Sequence, residues 1–529
     1  MKRIYKITQV ALFGAFIVGC TDLDTAPLSS TITADQKEDV VAADPSKIEA
    51  SVTAITANFT QYAKIYTEDD NVHSDIGYPT IMLATDSRTT DFVADITGYN
   101  WYSNSANYSD CLSTSTATIE FWGTLYNQIY TANAVIGTVD NETSDSTLQF
   151  YLAQALAIRA FDYFTLVQLY QFNYKGHEDA LGVPIITSEN AEEVAANGCA
   201  RSTVKETYEF ILGDLNKAIE LLANTKKTRS DKRYVSLDVA YGIRARVHLT
   251  MHNYADALKD AEAALASTSS VPYSSAAVSK PTFIDIEDAS WMWGILITDK
   301  DRVSTTGICN FPSHMGSLNY GYASVGGWRR ISPKLYNQIP ESDVRKGWFL
   351  DDTGVSVNLP AAAQAYITKK GAPVYTQVKY GPMNDEWGSN NNATDVILMR
   401  VEEMYLIKAE AQAMNNDVSG GVNTLNSFVN TYRDPSYKCT ATTGEAVQEA
   451  VWHQRRIEFW GEGLAYFDIM RLNKGVNRLG CGFPKTAVFN IAAGDPVQIY
   501  SIPNKEVQYN PLLENNPLVS APTPIPDEE

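Results

Sequence analysis

Three separated stretches of the chain repeat one small pattern: isoleucine, then a cation, then alanine, inside a run where apolar and small residues recur every three or four positions. They are Ile158-Arg159-Ala160 within residues 151–170, Ile243-Arg244-Ala245 within 238–250, and Ile407-Lys408-Ala409 within 400–414. The spacing predicts an amphipathic α-helix in each stretch. The small residue lets a neighbouring helix approach closely. Helices of this kind cannot bury their apolar faces alone, so the chain is constrained to pair them and to stack the pairs into one scaffold.

The second and third stretches run directly into further helical segments, 251–265 and 415–429. Tyr241, Ala245 and Tyr254-Ala255-x-Ala257-Leu258 resemble a tetratricopeptide repeat. The copy at 415–429 is looser, with Gly420-Gly421 inside its second helix. The first stretch pairs with residues 203–223, which open with the capping box Thr203-x-x-Glu206, across a long insertion at about 174–202. A further pair joins about 45–65, begun by Asp44-Pro45, to 119–137. The expected fold is mainly α: stacked tetratricopeptide-like pairs within 45–65 with 119–137, 150–223, 236–267 and 396–432. Residues 66–117 and 268–395 differ in texture, being rich in Gly, Pro, Asn, Ser and aromatics. They read as long ordered loops and small β-sheets inserted into the scaffold, where function is usually carried. Within them Trp291 and Trp293, two apart on a strand-like run, should share one face.

The N-terminus reads as an address. Lys2, Arg3 and Lys6 precede an uncharged run from Ile7 to Gly19, too short to span a bilayer. It ends at Ile17-Val18-Gly19-Cys20, which looks like a bacterial lipobox. Residues 1–19 are then a signal peptide, and Cys20 becomes a lipidated N-terminus held in a membrane through its acyl chains. Residues 20–44, with Asp22, Asp24 and Pro27 among Thr, Ser and Ala, read as an extended tether. Five cysteines remain (Cys111, Cys199, Cys309, Cys439, Cys481), and none forms a C-x-x-C pair.

Composition removes several functions. The net charge of −20 gives no dense Lys/Arg footprint for phosphate, so nucleic acid is not an expected partner. The chain carries no H-E-x-x-H, G-x-S-x-G or Walker motif. Its six histidines are scattered, so neither a metal nor another cofactor is expected. The acidic run Glu68-Asp69-Asp70-Asn71-Val72-His73-Ser74-Asp75 fails the calcium-loop pattern, because Ser74 stands where glycine must be. Nothing here marks an enzyme.

Four pieces in order carry a resemblance to a known family. They are Cys20-Thr-Asp22-Leu-Asp24-Thr-Ala-Pro27; residues 155–167 with Leu181-Gly-Val-Pro184; residues 455–471, Arg-Arg-Ile-Glu-Phe-Trp-Gly-Glu-Gly-Leu-Ala-Tyr-Phe-Asp-Ile-Met-Arg; and Ile502-Pro503 through Asn510-Pro511 and Asn516-Pro517. Together they resemble the SusD/RagB-like outer-membrane lipoproteins of Bacteroidetes, over nearly all of residues 45–529. One departure is Ala465, where that family often places arginine. The C-terminal segment 444–517 contains the most specific piece. Its charges Arg455, Arg456, Glu458, Glu462, Asp468 and Arg471 are expected to form a partly buried ion-pair network.

The resemblance implies a noncatalytic lipoprotein on the cell surface. It would capture a glycan, or in some branches a peptide, and pass it to a SusC-like TonB-dependent transporter. A sugar ring stacks its C–H face on flat aromatics and offers its hydroxyl rim to polar side chains. Loop residues combining both types form two candidate clusters: Asp86, Arg88, Trp101, Tyr102 and Asn104, then His314, Asn319, Tyr320, Tyr322 and Trp328. Trp101, flanked by Tyr and Asn in a polar loop, is the foremost. A peptide site would instead be a deep pocket lined by backbone donors. A lipid-anchored glycoside hydrolase would set two carboxyls across a cleft.

Overall fold

The computed structural model describes residues 43–62, 72–305 and 307–528, with Lys37, Val40 and Val41 ahead of them. The signal segment, Cys20, most of the expected tether and Glu68 to Asn71 of the acidic run lie outside the described residues. Asp44 caps the first turn by accepting from the Ser46 amide, and a 3-10 turn at Pro45–Ile48 leads into α1 (Glu49–Ala57). The principal helices that follow are α2 (Tyr78–Ser87), α3 (Thr116–Ile136), α4 (Ser146–Tyr170), α5 (Val204–Asn224), α6 (Leu237–Thr250), α7 (Tyr254–Ser267), α8 (Val401–Met414), α9 (Val418–Tyr432), α10 (Gly444–Glu458) and α11 (Ala465–Arg471). Thr203 and Glu206 close the capping box that opens α5. The helices pack α1 on α3, α3 on α4, α4 on α5, α6 on α7 and α8 on α9, and each pair leans on the next through α5–α6 and α7–α8. The fold is mainly α, a scaffold of tetratricopeptide-like pairs, as the periodicity requires.

The repeated cation has a structural role in all three stretches. Arg159 on α4 grips Asp214 of α5 through two bonds of 2.7 Å and reaches Asn133 of α3 at 2.8 Å. Arg244 on α6 grips Asp260 of α7 at 2.7 and 2.6 Å. Lys408 on α8 meets Glu262 of α7 at 3.0 Å. The cation therefore ties each helix to a neighbour while the adjacent alanine keeps the axes close. Gly421 serves the same closeness: a Cβ there would sit 2.6 Å from the Ala409 carbonyl, so the looser copy of the repeat is a packing demand. Helix α4 departs from the amphipathic expectation. From Phe150 to Tyr170 every residue is buried, because neighbours cover its whole circumference.

The sheets are small. β1 (Phe92–Ala94) pairs antiparallel with β3 (Arg329–Ile331), β2 (Trp291–Ile295) with β4 (Val396–Arg400), and β5 (Val476–Asn477) with β6 (Asn490–Ile491). The β1–β3 pair joins the two inserted regions. On β2 the register slips between Trp291 and Trp293. The bulge breaks the two-residue alternation, so the two indoles do not share one environment. Trp291 donates to the Tyr273 hydroxyl at 2.7 Å, while Trp293 packs edge-on against Phe59 and Phe161. Both are core.

The C-terminal charges form the network expected of them. Glu458 is fully buried among Arg345, Arg400 and Arg433, at 3.3, 3.1 and 2.8 Å. Burial alone would raise its carboxyl; the three guanidiniums outweigh that and hold it well below the usual carboxylate range. Glu462 meets Arg400 and Lys379, Arg455 and Arg471 share Asp468, and Arg456 binds Asp91. These pairs anchor α10 and α11 to α8, α9 and the loop 343–400.

Candidate functional site

The turn from Asp95 to Tyr102 is wound around one side chain. Asn100 donates to the Asp95 carbonyl at 2.9 Å, and its Oδ1 accepts from the Tyr102 amide at 3.0 Å and from Arg329 Nη1 at 2.8 Å. Arg329, at the start of β3, is fully buried and also donates to the His314 carbonyl at 2.9 Å. Burial pushes this guanidinium down to about 10, and the Tyr102 ring lies 5.7 Å from it. Arg329 thus clamps the two inserted regions together with Asn100 and Tyr102 turned inward. Of the alternate residues, Tyr99 is 51% exposed, while Trp101 is only partly exposed and packs against the core with its Nε1 buried. A Cβ at Gly326 would meet the Tyr99 ring at 2.8 Å, so a glycine there lets that ring lie against the backbone.

The aromatic rings meet in a chain. Tyr102 stands edge-on to His314, 5.3 Å between centroids; His314 stacks on Tyr322 at 5.0 Å; Tyr322 stands edge-on to Trp101 at 6.1 Å; and Trp101 stacks on His73 at 4.8 Å. The His73 ring is hydrogen-bonded through Nδ1 to the Tyr322 hydroxyl. His314 donates from Nε2 to the His73 carbonyl at 2.8 Å, and burial lowers its pKa to about 3, so this imidazole is neutral. The inner rings are core and the outer ones are half-buried or exposed. Tyr320, 47% exposed, extends the outer surface. Trp101 and Tyr322, in contact and backed by His73, together with the exposed Tyr99 and Tyr320 of the same two loops make up the candidate arc.

Of the ten residues singled out from sequence, the structure brings Trp101, Tyr102, His314 and Tyr322 into contact. Only Trp101, Asn104, Tyr320 and Tyr322 reach the surface. Six are interior and must be corrected as ligand contacts. Asp86 lies in α2, a helix buried along its whole length, and accepts from the Gly463 amide at 3.0 Å. Arg88, just beyond, pairs with Asp110 at 3.2 Å and is sandwiched 4.2 Å from both the Tyr108 and Tyr500 rings. Tyr102 and His314 are the inner members of the ring chain. Asn319 is spent on the Pro312 carbonyl and on Asn392. Trp328 is packed among Leu318, Leu350, Ile367 and Val378. The sequence reading missed Tyr99, His73 and Arg329. Tyr99 could have been found as the neighbour of Trp101; His73 was hidden in an acidic run.

Partly exposed rings from inserted loops on a helical-repeat scaffold form the candidate surface. Residues 35–249 match a family described as "Starch-binding associating with outer membrane", and residues 341–518 match the SusD family. The chain is 25% identical over 392 residues to SusD-like protein P2 of Formosa agariphila, covering 67% of this chain and 72% of that one. It is 23% identical over 404 residues to SusD-like protein P38 of the same organism, covering 68% and 73%. Its fold matches a SusD-like carbohydrate binding protein from Bacteroides vulgatus with a TM-score of 0.71 at 23% identity, covering 88% of this chain and 96% of that one. It also matches a SusD superfamily protein from Bacteroides thetaiotaomicron with a TM-score of 0.69 at 21% identity, covering 92% and 100%. The chain belongs to the SusD/RagB-like family. Among the described residues no helix is long and apolar enough to cross a membrane.

Proposed function

We propose that this protein is a noncatalytic glycan-binding lipoprotein, anchored in the outer membrane through Cys20 and facing the cell exterior. It captures an oligo- or polysaccharide and passes it to a partner SusC-like TonB-dependent transporter. The observation that carries the reading is the open aromatic arc of Tyr99, Trp101, Tyr320 and Tyr322. Flat rings at a surface suit the C–H face of a sugar and leave its hydroxyls to neighbouring polar groups such as Asn104. Rings exposed at the surface favour a glycan over a peptide gripped by backbone donors in a deep pocket. The carboxylate beside it, Asp95, is tied to Arg330 at 2.6 Å, which disfavours a glycosidase pair at this place. The test is a glycan array probed with the soluble protein lacking residues 1–20, beside its Trp101→Ala variant. Binding to one glycan class, weakened by the substitution, is expected. Wild-type protein that binds only peptides would overturn the reading.

A further inference from the structure

A second concave site lies away from the arc, below the far end of β3. It is a cleft of about 620 Å³ between the segment 336–358 and Tyr375. Its floor is the rings of Tyr336 and Tyr375, 5.1 Å apart and inclined at 57°. Tyr336 is only 8% exposed, yet among the described residues its hydroxyl has no hydrogen-bond partner, and it faces Asp351, Glu341 and Asp352. The hydroxyl is open toward the cleft and free to bond to a ligand or water there. Valines line the rim: Val357 and Val355 are both exposed. Ser342, Asn337 and Asn358 add neutral polar groups.

The charges narrow the ligand. Asp343 is gripped by Arg345 at 2.6 Å, and Glu341 holds Lys346 at 2.5 Å, with that ammonium 5.0 Å above the Tyr336 ring. Asp351 is spent on the Thr353 and Val355 amides through one oxygen and stays ionised, and Asp352 beside it is exposed. Two carboxylates without a cationic partner among the described residues leave the cleft negative, which repels uronates, sulfates and phosphates. Aromatic floor, apolar rim and hydroxyl acceptors together fit a hydroxyl-rich ring.

We propose that this cleft is a second carbohydrate-contact site, selective for sugars without acidic groups, that lets the protein hold a long neutral glycan at two places. The proposal rests on the glycan-binding reading above. A chain engaged twice gains by effective concentration, so a polymer is retained more strongly than a short oligomer.

Affinity-gel electrophoresis tests it, with gels cast in a soluble β-glucan, a xylan, a galactomannan or pullulan, and in polygalacturonate as the acidic polymer. On the neutral polymer that retards the wild type, Tyr375→Ala and Tyr336→Phe should each weaken retention, by roughly five-fold or more for the alanine variant. Trp101→Ala should keep a residual retention that adding Tyr375→Ala removes. Hydrogen exchange supplies the second measurement: in the Trp101→Ala protein the same polymer should still protect residues 349–358. Melting curves establish that the variants fold. If folded Tyr375→Ala and Tyr336→Phe are retarded like the wild type, with no protection at 349–358, the second site is refuted and the arc stands. If no neutral polymer retards the wild type, the glycan reading falls and this inference with it.

Discussion

Removing the Glu458 carboxylate tests whether the C-terminal network stabilises the scaffold. Glu458 receives Arg433 through two bonds of 2.8 Å, Arg400 at 3.1 Å and Arg345 at 3.3 Å, and all four groups are fully buried. After Glu458→Gln, Arg345 keeps Asp343 and Arg400 keeps Glu462. Arg433 retains Glu402 at 3.1 Å and two backbone carbonyls, so it loses most. Breaking a buried pair from one side costs about 3–5 kcal/mol, because the abandoned cation stays out of water. With an unfolding entropy of about 2.1 cal/mol/K for each of ~480 ordered residues, 1 kcal/mol moves the midpoint by only about 1 °C. Calorimetry at pH 7 should therefore show Tm lower by about 3–5 °C if the chain unfolds as one unit. The pH dependence gives a second signature. Glu458 has a folded pKa below its unfolded value, so its contribution is complete above the unfolded value of about 4.5 and is lost as pH falls further. The gap between wild type and Glu458→Gln should stay constant from pH 7 to pH 5 and close below about pH 4.5. A variant melting within 1 °C of wild type at pH 7, or a gap that narrows between pH 7 and 5, would refute the argument.

Four other outcomes are expected. Trp101→Ala should weaken glycan binding roughly ten-fold or more, from the ~1–3 kcal/mol of a lost anchor, with Tm moving by only about 1–2 °C since the indole is half-buried; calorimetric titration and melting on one sample decide, and normal affinity in a strongly destabilised variant counts against the arc. Asp86, pushed by burial from 3.8 to about 7, is neutral in the fold below about pH 7, so its own contribution to stability should fall as pH rises from about 4 to 7. Asp86→Asn should raise Tm at pH 8 and leave it nearly unchanged at pH 4; an equal effect at both would dismiss the titration. Cys20→Ala should abolish incorporation of labelled fatty acid, and equal labelling of variant and wild type would remove the anchor. Mild-detergent purification from the native membrane should recover a much larger barrel partner; the lipoprotein coming off alone, where comparable pairs hold together, would speak against delivery to a transporter.

What was legible in the sequence was local. Helices α6, α7 and α8 announce themselves by periodicity, the α5 cap by Thr203 and Glu206, and the C-terminal network by opposite charges interleaved within one segment. Helix α4 misled because an amphipathic stripe and an all-round buried surface both contain apolar residues at three- and four-residue steps; only the neighbours differ. The site misled for a related reason. Arg88 has the composition of a sugar-binding group, but its partners are Asp110, 22 positions on, and the Val497 carbonyl, 409 positions on. No spacing rule reaches that far.

The run from Tyr99 to Tyr102 states the difficulty most sharply. Tyr, Asn, Trp and Tyr in a polar loop could place any two rings inward. The choice is made by Arg329, 229 positions away, which takes Asn100 and so turns Tyr102 into the core, leaving Tyr99 exposed and Trp101 at the core's edge. An aromatic and polar cluster in sequence therefore marks a place where core and binding surface meet, without saying which ring serves which. Deciding that requires the clamp, and the clamp itself carries no signal of binding, since a buried arginine between two carbonyl-bearing loops looks like any other structural ion. Here the residue that most governs the candidate surface is one that never touches it.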